Sequence, residues 1–266
     1  MTKVIEKDKY REMLLDEMSQ SENDTDNIIR KHVTAIVALC ISYRGKDFTF
    51  NKDKNINKKV DAIIETISSE IYNKVYGRVK NTYKIVLEKE NSNINIPIEK
   101  FFNLEIYGKT YMDRLDDYLS NFKNELEAYI AIGLSKNYIV SKIVDLWIRN
   151  KKKPLDEQLI KNNIGKFSTK FLQKYVYLGK GYVSSSFVGI KTLEMNTIFQ
   201  SYNYVLEKIW EKNGVKYWKT IRGSNYPCEY CDEQVGKIHS IDSPFYGYHN
   251  RCYCIMLACD KFGNLI

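Results

Sequence analysis

The sequence has little proline and little histidine, and it lacks a long apolar run. Only 4 of its 266 residues are proline and 3 are histidine. Because proline breaks helices, its scarcity permits long helices almost everywhere before Pro227. The longest apolar run near the start, residues 33–42, is far too short to span a bilayer. We therefore expect a helical protein with no membrane partner.

Several enzyme motifs are also missing. The sequence contains no phosphate-binding loop, no nucleophile elbow and no dinucleotide fingerprint. Gly179 and Gly181 flank one lysine but lack the remaining glycines of such motifs, so we interpret them as a turn. Residues 1–10 are polar and charged, and we therefore expect no secretory signal.

The whole excess of basic residues lies in residues 1–217. The formal net charge is +8, yet residues 218–266 hold 5 basic and 5 acidic side chains. A basic surface attracts nucleic acid or acidic proteins, although a lysine-rich solvated surface is the simpler interpretation of so small an excess. A basic stretch at the end of a predicted helix is our candidate contact for DNA or a protein partner, and it consists of Arg149, Lys151, Lys152 and Lys153.

Apolar residues recur every three or four positions through the first two thirds of the chain, which is the period of a helix. Residues 60–86 predict one long amphipathic helix, and residues 112–129, 139–146 and 184–210 predict three more. Another helix is expected to begin at Thr25 and Asp26.

Turn and capping residues predict the limits of these helices. The polar, lysine-rich stretch 51–59 predicts a loop. Gly133 predicts the end of one helix, and Ser135 predicts the N-cap of the next.

From residue 215 the pattern changes to that of short strands, at residues 215–221, 236–241 and 253–258. Three short strands bury little apolar surface, and small modules of this kind usually need a staple. We therefore predict a mainly α fold, in which a helical body carries a small C-terminal antiparallel β module stapled by zinc (α+β overall).

The candidate staple is a cluster of cysteines and one histidine. Five of the six cysteines lie in the last 39 residues, as Cys-x2-Cys and then, after 17 residues, His-x2-Cys-x-Cys. Zinc prefers four thiolate or imidazole ligands in a tetrahedron, and paired spacings supply them. The five candidate ligands are Cys228, Cys231, His249, Cys252 and Cys254.

Five candidates compete for four positions. We expect the set Cys228, Cys231, His249 and Cys252. Cys254 can replace Cys252, because residues two apart on a strand face the same way. Four protein ligands leave no position for water, so the expected zinc is structural rather than catalytic.

The alternative for any cysteine is a disulfide or a buried free thiol. We assign Cys40 and Cys259 to this alternative. His239 lies in a predicted strand and is expected at the surface, whereas His32 lies on an apolar helix face and is expected in the core.

Three stretches carry a resemblance to a known family. A glycine precedes paired helices in residues 108–146. Residues 191–194 are Lys-Thr-Leu-Glu, on a helix that leads into a tryptophan strand at 214–218. Residues 227–231 contain Pro-Cys-x2-Cys, and residues 249–254 are His-Asn-Arg-Cys-Tyr-Cys. In this order and spacing, the chain from about residue 108 onward resembles the Mu F-like minor head proteins of tailed bacteriophages, also called phage head morphogenesis proteins.

The resemblance implies a low-copy virion protein that associates with the portal or inner capsid and sometimes with packaged DNA. We accordingly expect a structural protein, not an enzyme, in the head interior or portal region, and in the host cytoplasm during assembly. We divide the chain into an N-terminal helical region (1–107), the helical part of a Mu F-like domain (108–214) and a C-terminal zinc-binding β module (215–266).

Two other functions stay open. His249 and Asn250 beside cysteines suggest a zinc-stapled HNH-type nuclease, but such a site also needs a general-base histidine. No His-His or Asp-His pair occurs in the chain. A zinc-ribbon nucleic-acid-binding protein should concentrate basic residues on its zinc module, which here is neutral.

Overall fold

A computed structural model describes residues 9–43, 48–52, 54–150, 185–223, 228–249 and 252–266, without the side chains of residues 149 and 150. The fold is mainly α, with a small antiparallel sheet near the C-terminus, as the sequence predicted. No helix in these described ranges is long and apolar enough to cross a membrane. The elements are α1 (Lys9–Ile41), α2 (Lys54–Lys89), α3 (Ile98–Phe102), α4 (Tyr111–Ser135), α5 (Val140–Asn150), α6 (Ser186–Lys212), β1 (Tyr217–Ile221), α7 (Glu229–Gln234), β2 (Ile238–Ser240) and β3 (Ile255–Cys259).

The prediction that the first helix begins at Thr25 is wrong, because α1 already begins at Lys9. Leu14 and Met18 are buried one and two turns into the helix. The buried stripe then continues through Ser21 and Thr25, each only 1% exposed. Small hydroxyl side chains can occupy a buried helix face, but in the sequence they interrupt the apolar pattern and suggest a boundary.

The long helix predicted from residues 60–86 is confirmed as α2. Its start is earlier than predicted, so the expected loop at 51–59 is wrong from Lys54 onward. Ile56 explains the difference, since its side chain is 1% exposed and anchors the first turn despite the four lysines within four residues of it.

Gly133 does not end a helix, and Ser135 is not an N-cap. Helix α4 continues through Gly133 to Ser135, whose Oγ donates to the Ile132 carbonyl at 2.8 Å. The space that a Cβ at Gly133 would take is filled by the Ile143 side chain of α5. The glycine therefore permits close packing rather than a change of backbone direction.

The chain divides into two compact units. Unit 1 comprises Met1–Asn23, Asn73–Met112 and Thr192–Ile266, and unit 2 comprises Asp24–Tyr72 and Asp113–Lys191. Each unit takes segments from both sides of residue 107. The boundaries that we drew after residues 107 and 214 stay a prediction.

Aromatic rings and one half-buried carboxylate hold the helices of unit 2 together. Trp147 of α5 is 2% exposed and makes edge-to-face contacts with Phe122 and Phe187, at centroid distances of 6.2 and 5.6 Å. Glu125 of α4 accepts hydrogen bonds from the backbone N–H and the hydroxyl of Ser186, at 2.9 and 2.7 Å. The carboxylate thus satisfies a backbone donor in the first turn of α6.

Unit 1 contains the sheet, whose strand order is β2-β1-β3 with both pairs antiparallel. Trp218 pairs with His239 on one side and Ala258 on the other. Trp218 and Thr220 are buried, so β1 turns this face toward the interior. The α6 segment of unit 1 adds a buried carboxylate, because the Tyr111 hydroxyl donates to Glu194 at 3.0 Å.

The partial burial of Glu125 predicts a pH-dependent effect of Glu125→Gln. Burial raises the pKa of this carboxyl above its ordinary value of 4.5, although the bonds from Ser186 oppose the shift. A raised acid pKa stabilises the fold below the unfolded value and loses that contribution as pH rises through the folded value. We expect the free energy of unfolding of Glu125→Gln, relative to wild type, to increase from pH 4 to pH 8 in urea titrations.

The matched control is Glu65→Gln on the exposed face of α2. It should change stability equally at both pH values. A constant difference for Glu125→Gln across the range would contradict the assignment.

Candidate metal centre

The ends of short elements bring the five predicted ligands to one place in unit 1. Cys228 directly precedes α7, and Cys231 lies in its first turn. His249 lies in the segment after β2, and the backbone N–H of Cys252 donates to the His249 carbonyl at 3.0 Å. Cys254 is the residue before β3. The CxxC and HxxCxC motifs therefore face each other, as their paired spacing predicted.

The five side chains form two overlapping groups of three. Cys228, Cys231 and His249 have ligand atoms within 4.8 Å of one another, and so do Cys231, Cys252 and Cys254. Cys231 belongs to both groups. Its Sγ lies 3.0 Å from His249 Nε2 and 4.0 Å from Cys252 Sγ, and Cys228 Sγ lies 3.3 Å from the same imidazole nitrogen.

Burial distinguishes the two groups. Cys231, Cys252 and Cys254 are 2–3% exposed. Cys228 and His249 are partly exposed. The site therefore has an inner part of three thiols and an outer part made by one thiol and one imidazole.

These residues fit a metal ion of the zinc type. Bond lengths of about 2.3 Å to sulfur and 2.0–2.1 Å to nitrogen place tetrahedral ligand atoms about 3.5–3.8 Å apart. The observed separations of 3.0–4.0 Å bracket that range. Sulfur-rich sets of this kind bind soft or borderline metals, and the geometry alone does not select among them.

The thiols also favour a cation through their ionisation. Burial raises the pKa of Cys231 to about 12. A hydrogen bond with Cys254 lowers the pKa of Cys252 to about 5, and the same bond raises that of Cys254. Without a cation, the inner thiols thus share protons instead of ionising together. A divalent ion would stabilise all of them as thiolates and release the protons.

Polar contacts hold the loops that carry the ligands. Arg222 Nη1 donates to the Cys228 carbonyl at 3.4 Å, and Arg222 Nε lies 3.4 Å from Asp232 Oδ1. The hydroxyls of Thr220 and Tyr248 are 2.7 Å apart, which joins β1 to the residue before His249. Such contacts orient ligands before the metal binds.

Gly223 permits the closest backbone approach at the site. A Cβ at this position would overlap the carbonyl of Tyr253, which lies between two of the cysteines. Arg11 of α1 donates to the Gly223 carbonyl. The segment around Tyr253, the residues directly after β1 and the start of α1 are therefore packed together within unit 1.

The other predicted site residues lie elsewhere or outside the described residues. Cys40 and Cys259 are buried, and no disulfide joins the cysteines, all six of which are described. The expectation that His239 lies at the surface is wrong, because its ring is half-buried and stacks on Trp218 at 4.3 Å. His32 Nε2 lies 3.1 Å from Glu70 Oε1. The candidate contacts Lys151, Lys152 and Lys153, and the side chain of Arg149, lie outside the described residues.

Sequence reasoning missed three supporting residues, Arg222, Gly223 and Tyr248. A glycine directly after a predicted strand is a signal for close backbone approach, and it could have identified Gly223. Nothing in the sequence pattern distinguishes Arg222 or Tyr248 from the many other basic residues and tyrosines.

No family model, curated protein or solved structure matches this chain. The resemblance to Mu F-like minor head proteins therefore rests on the motifs described above.

We predict that Gly223→Ala disrupts the metal centre. The added Cβ forces the Tyr253 carbonyl to move, and Cys252 and Cys254 move with it. Such overpacking costs about 1–3 kcal/mol, which should lower the Tm by several degrees and reduce metal binding. Differential scanning calorimetry and metal content of the purified variant check this.

Gly77→Ala is the matched control in unit 1. Its Cβ would meet nothing within 4 Å, and on a helix the change should raise stability by up to about 1 kcal/mol. Equal behaviour of the two variants would show that Gly223 does not position the ligands.

Proposed function

We propose that this chain is a structural minor head protein of a tailed bacteriophage, whose C-terminal module is locked by one zinc ion. In this proposal the protein acts by contact with the portal or inner capsid. The zinc supplies folding free energy and no catalysis.

One observation carries the structural role of the metal. All five candidate ligands converge, and the three inner thiols are 2–3% exposed. Four protein ligands complete a tetrahedron and leave no position for water or substrate. Three strands of three to five residues cannot bury enough apolar surface to be stable alone, so a metal staple has a clear use.

The positions of the histidines support a role without catalysis. A metal-dependent nuclease needs a histidine that is free to accept a proton close to its metal. His249 lies within 3.0–3.3 Å of two thiols, which makes it a candidate ligand itself. His239 stacks on Trp218, and His32 lies next to Glu70.

The order and spacing of the motifs support the phage assignment, and the charge distribution supports the mode of contact. The neutral segment 218–266 contains the candidate metal ligands, so the basic excess belongs to residues 1–217. A basic surface there would suit an acidic protein surface or packaged DNA. In this proposal the protein lies in the head interior or portal region of the virion, and in the host cytoplasm during assembly.

We predict about one zinc ion per chain and its loss in Cys231→Ser. Cys231 belongs to both ligand groups, so no arrangement of the site avoids it. Structural zinc contributes directly to folding, and its loss should lower the Tm by about 10 °C. Metal analysis by mass spectrometry and calorimetry measure the two effects.

Cys259→Ser is the control, since Cys259 is equally buried in β3 but belongs to neither group. It should retain zinc. A wild-type protein without zinc, or a Cys231→Ser variant that keeps it, would contradict the zinc site.

We further predict that the protein is present in purified phage particles and co-purifies with the portal protein. If the basic residues within 1–217 make the contact, co-purification should weaken as salt rises from 0.05 to 0.5 M, because charges are then screened within about 3–5 Å. Mass spectrometry of particles and pull-downs with the full-length chain check both points.

Absence from particles would overturn the virion assignment. Metal-dependent cleavage of DNA or RNA, lost in a folded His249→Ala variant, would favour the nuclease instead.

A further inference from the structure

Helices α1 and α6, the end of α2 and the start of β3 line a groove within unit 1. Its volume is about 490 Å³, which includes the part that opens to solvent. Leu15 of α1 lines the open side, since its side chain is 40% exposed. Most of the other wall residues are apolar, among them Leu14, Met18, Phe199, Ile255 and Met256. Concave, mostly apolar sites of a few hundred Å³ are where proteins bind small molecules.

One polar group in the wall of the groove needs an acceptor. Asn203 of α6 lines the groove and is 2% exposed. Within the described part of the chain, its Nδ2 has no hydrogen-bond partner. A buried amide donor without an acceptor costs folding free energy. A half-turn of the side-chain amide presents this donor to the groove, where an oxygen of a bound molecule would accept from it.

The charged residues of the groove favour an acidic ligand. Arg11 and Lys89 line it, and among the described residues no carboxylate does. Arg11 Nη2 donates to the Gly223 carbonyl, and a guanidinium carries several further N–H donors. Lys89 Nζ donates to the Tyr202 hydroxyl at 2.8 Å and lies 3.9 Å from Glu90 Oε1. Two cations beside apolar walls suit a molecule that carries a carboxylate on an apolar body.

We propose that this groove binds a small carboxylic acid with an apolar body. The apolar body lies against α1, α6 and β3. Arg11 and Lys89 attract the carboxylate, and Asn203 donates to one of its oxygens. None of these three side chains is a candidate metal ligand, so the site depends neither on a bound metal nor on the virion assignment.

The test titrates the full-length protein with octanoate and measures binding by isothermal titration calorimetry. An apolar body of this size with charge-assisted contacts should give a Kd of about 1 mM or tighter. Acetate has the carboxylate without the apolar body, and octylamine reverses the charge. Both should bind at least about tenfold more weakly than octanoate.

Three results of these titrations would overturn the inference. The first is that octanoate does not bind. The second is that acetate binds as tightly as octanoate, which would place the carboxylate on a metal or on surface charge. The third is that octylamine binds as tightly as octanoate, which would show that the cations do not select the ligand.

Asn203→Leu tests the role of the amide. Leucine keeps the branched shape and removes the donor, so octanoate should bind about five- to tenfold more weakly. Gln200→Leu is the matched control, because Gln200 is equally buried on α6 but donates to the Tyr246 carbonyl and does not line the groove. It should leave the Kd within about twofold of wild type. An unchanged Kd in Asn203→Leu would contradict the role of the amide.

Leu15→Trp tests the location of the ligand. An indole at the open side should fill the groove and weaken octanoate binding more than about tenfold, with the fold retained because Leu15 is 40% exposed. Asn23→Trp is the control, since Asn23 is exposed on the same helix and lies outside the groove. Circular dichroism checks the fold of every variant, and Leu15→Trp decides the question if Asn203→Leu does not fold. If folded Leu15→Trp binds octanoate as tightly as wild type, the ligand lies elsewhere and the inference is wrong.

Discussion

Three thiols are buried at 2–3% exposure in a module whose strands have only three to five residues. A sheet of this size lacks the apolar surface to hold itself, and buried thiols are poor hydrogen-bonding groups that add little by packing alone. A bound cation would resolve both problems, because it would turn the thiols into ligands and join the start of α7 to the segment before β3. The cysteines of these two segments converge on Cys231, which belongs to both candidate ligand groups.

The packing around the candidate ligands extends to helix α1 of unit 1. The close approach of Gly223 to Tyr253 fixes the end of β1 against the ligand segment, and Arg11 joins α1 to the same glycine. The loop before His249 is held by Phe245, which is buried and packs against Trp218 at 5.4 Å. The ligands are thus positioned by contacts that exist in the protein itself, so little reorganisation is needed when a metal binds.

The sequence was sufficient for the parts of the fold that follow from periodicity or paired spacing. Helix α2, helix α6, the three strands and the convergence of the five ligands were predicted because each depends on a local repeat or motif. The start of α1, the continuation of α4 through Gly133 and the stacking of His239 were not. These depend on which neighbours a residue meets: a buried hydroxyl at Thr25, the Ile143 side chain at Gly133, and Trp218 across the strand pair. Such contacts join residues that are distant in sequence, or they involve small polar side chains that do not belong to the apolar pattern.

Metal-binding motifs constrain very few positions in a sequence, so they specify little about the surroundings of each ligand. Spacing determines which side chains can reach one ion, but it does not determine how deeply each of them is buried. In this chain Cys228 and Cys231 belong to the same Cys-x2-Cys motif, yet one is partly exposed and the other is 2% exposed. The motif treats them as equivalent, whereas the fold does not. Such a motif requires only that the loops carrying the ligands are held in place. It sets no requirement on the remaining surface of the helices. The motif therefore bears on how the C-terminal module is stabilised, and it does not specify what the rest of the chain contacts.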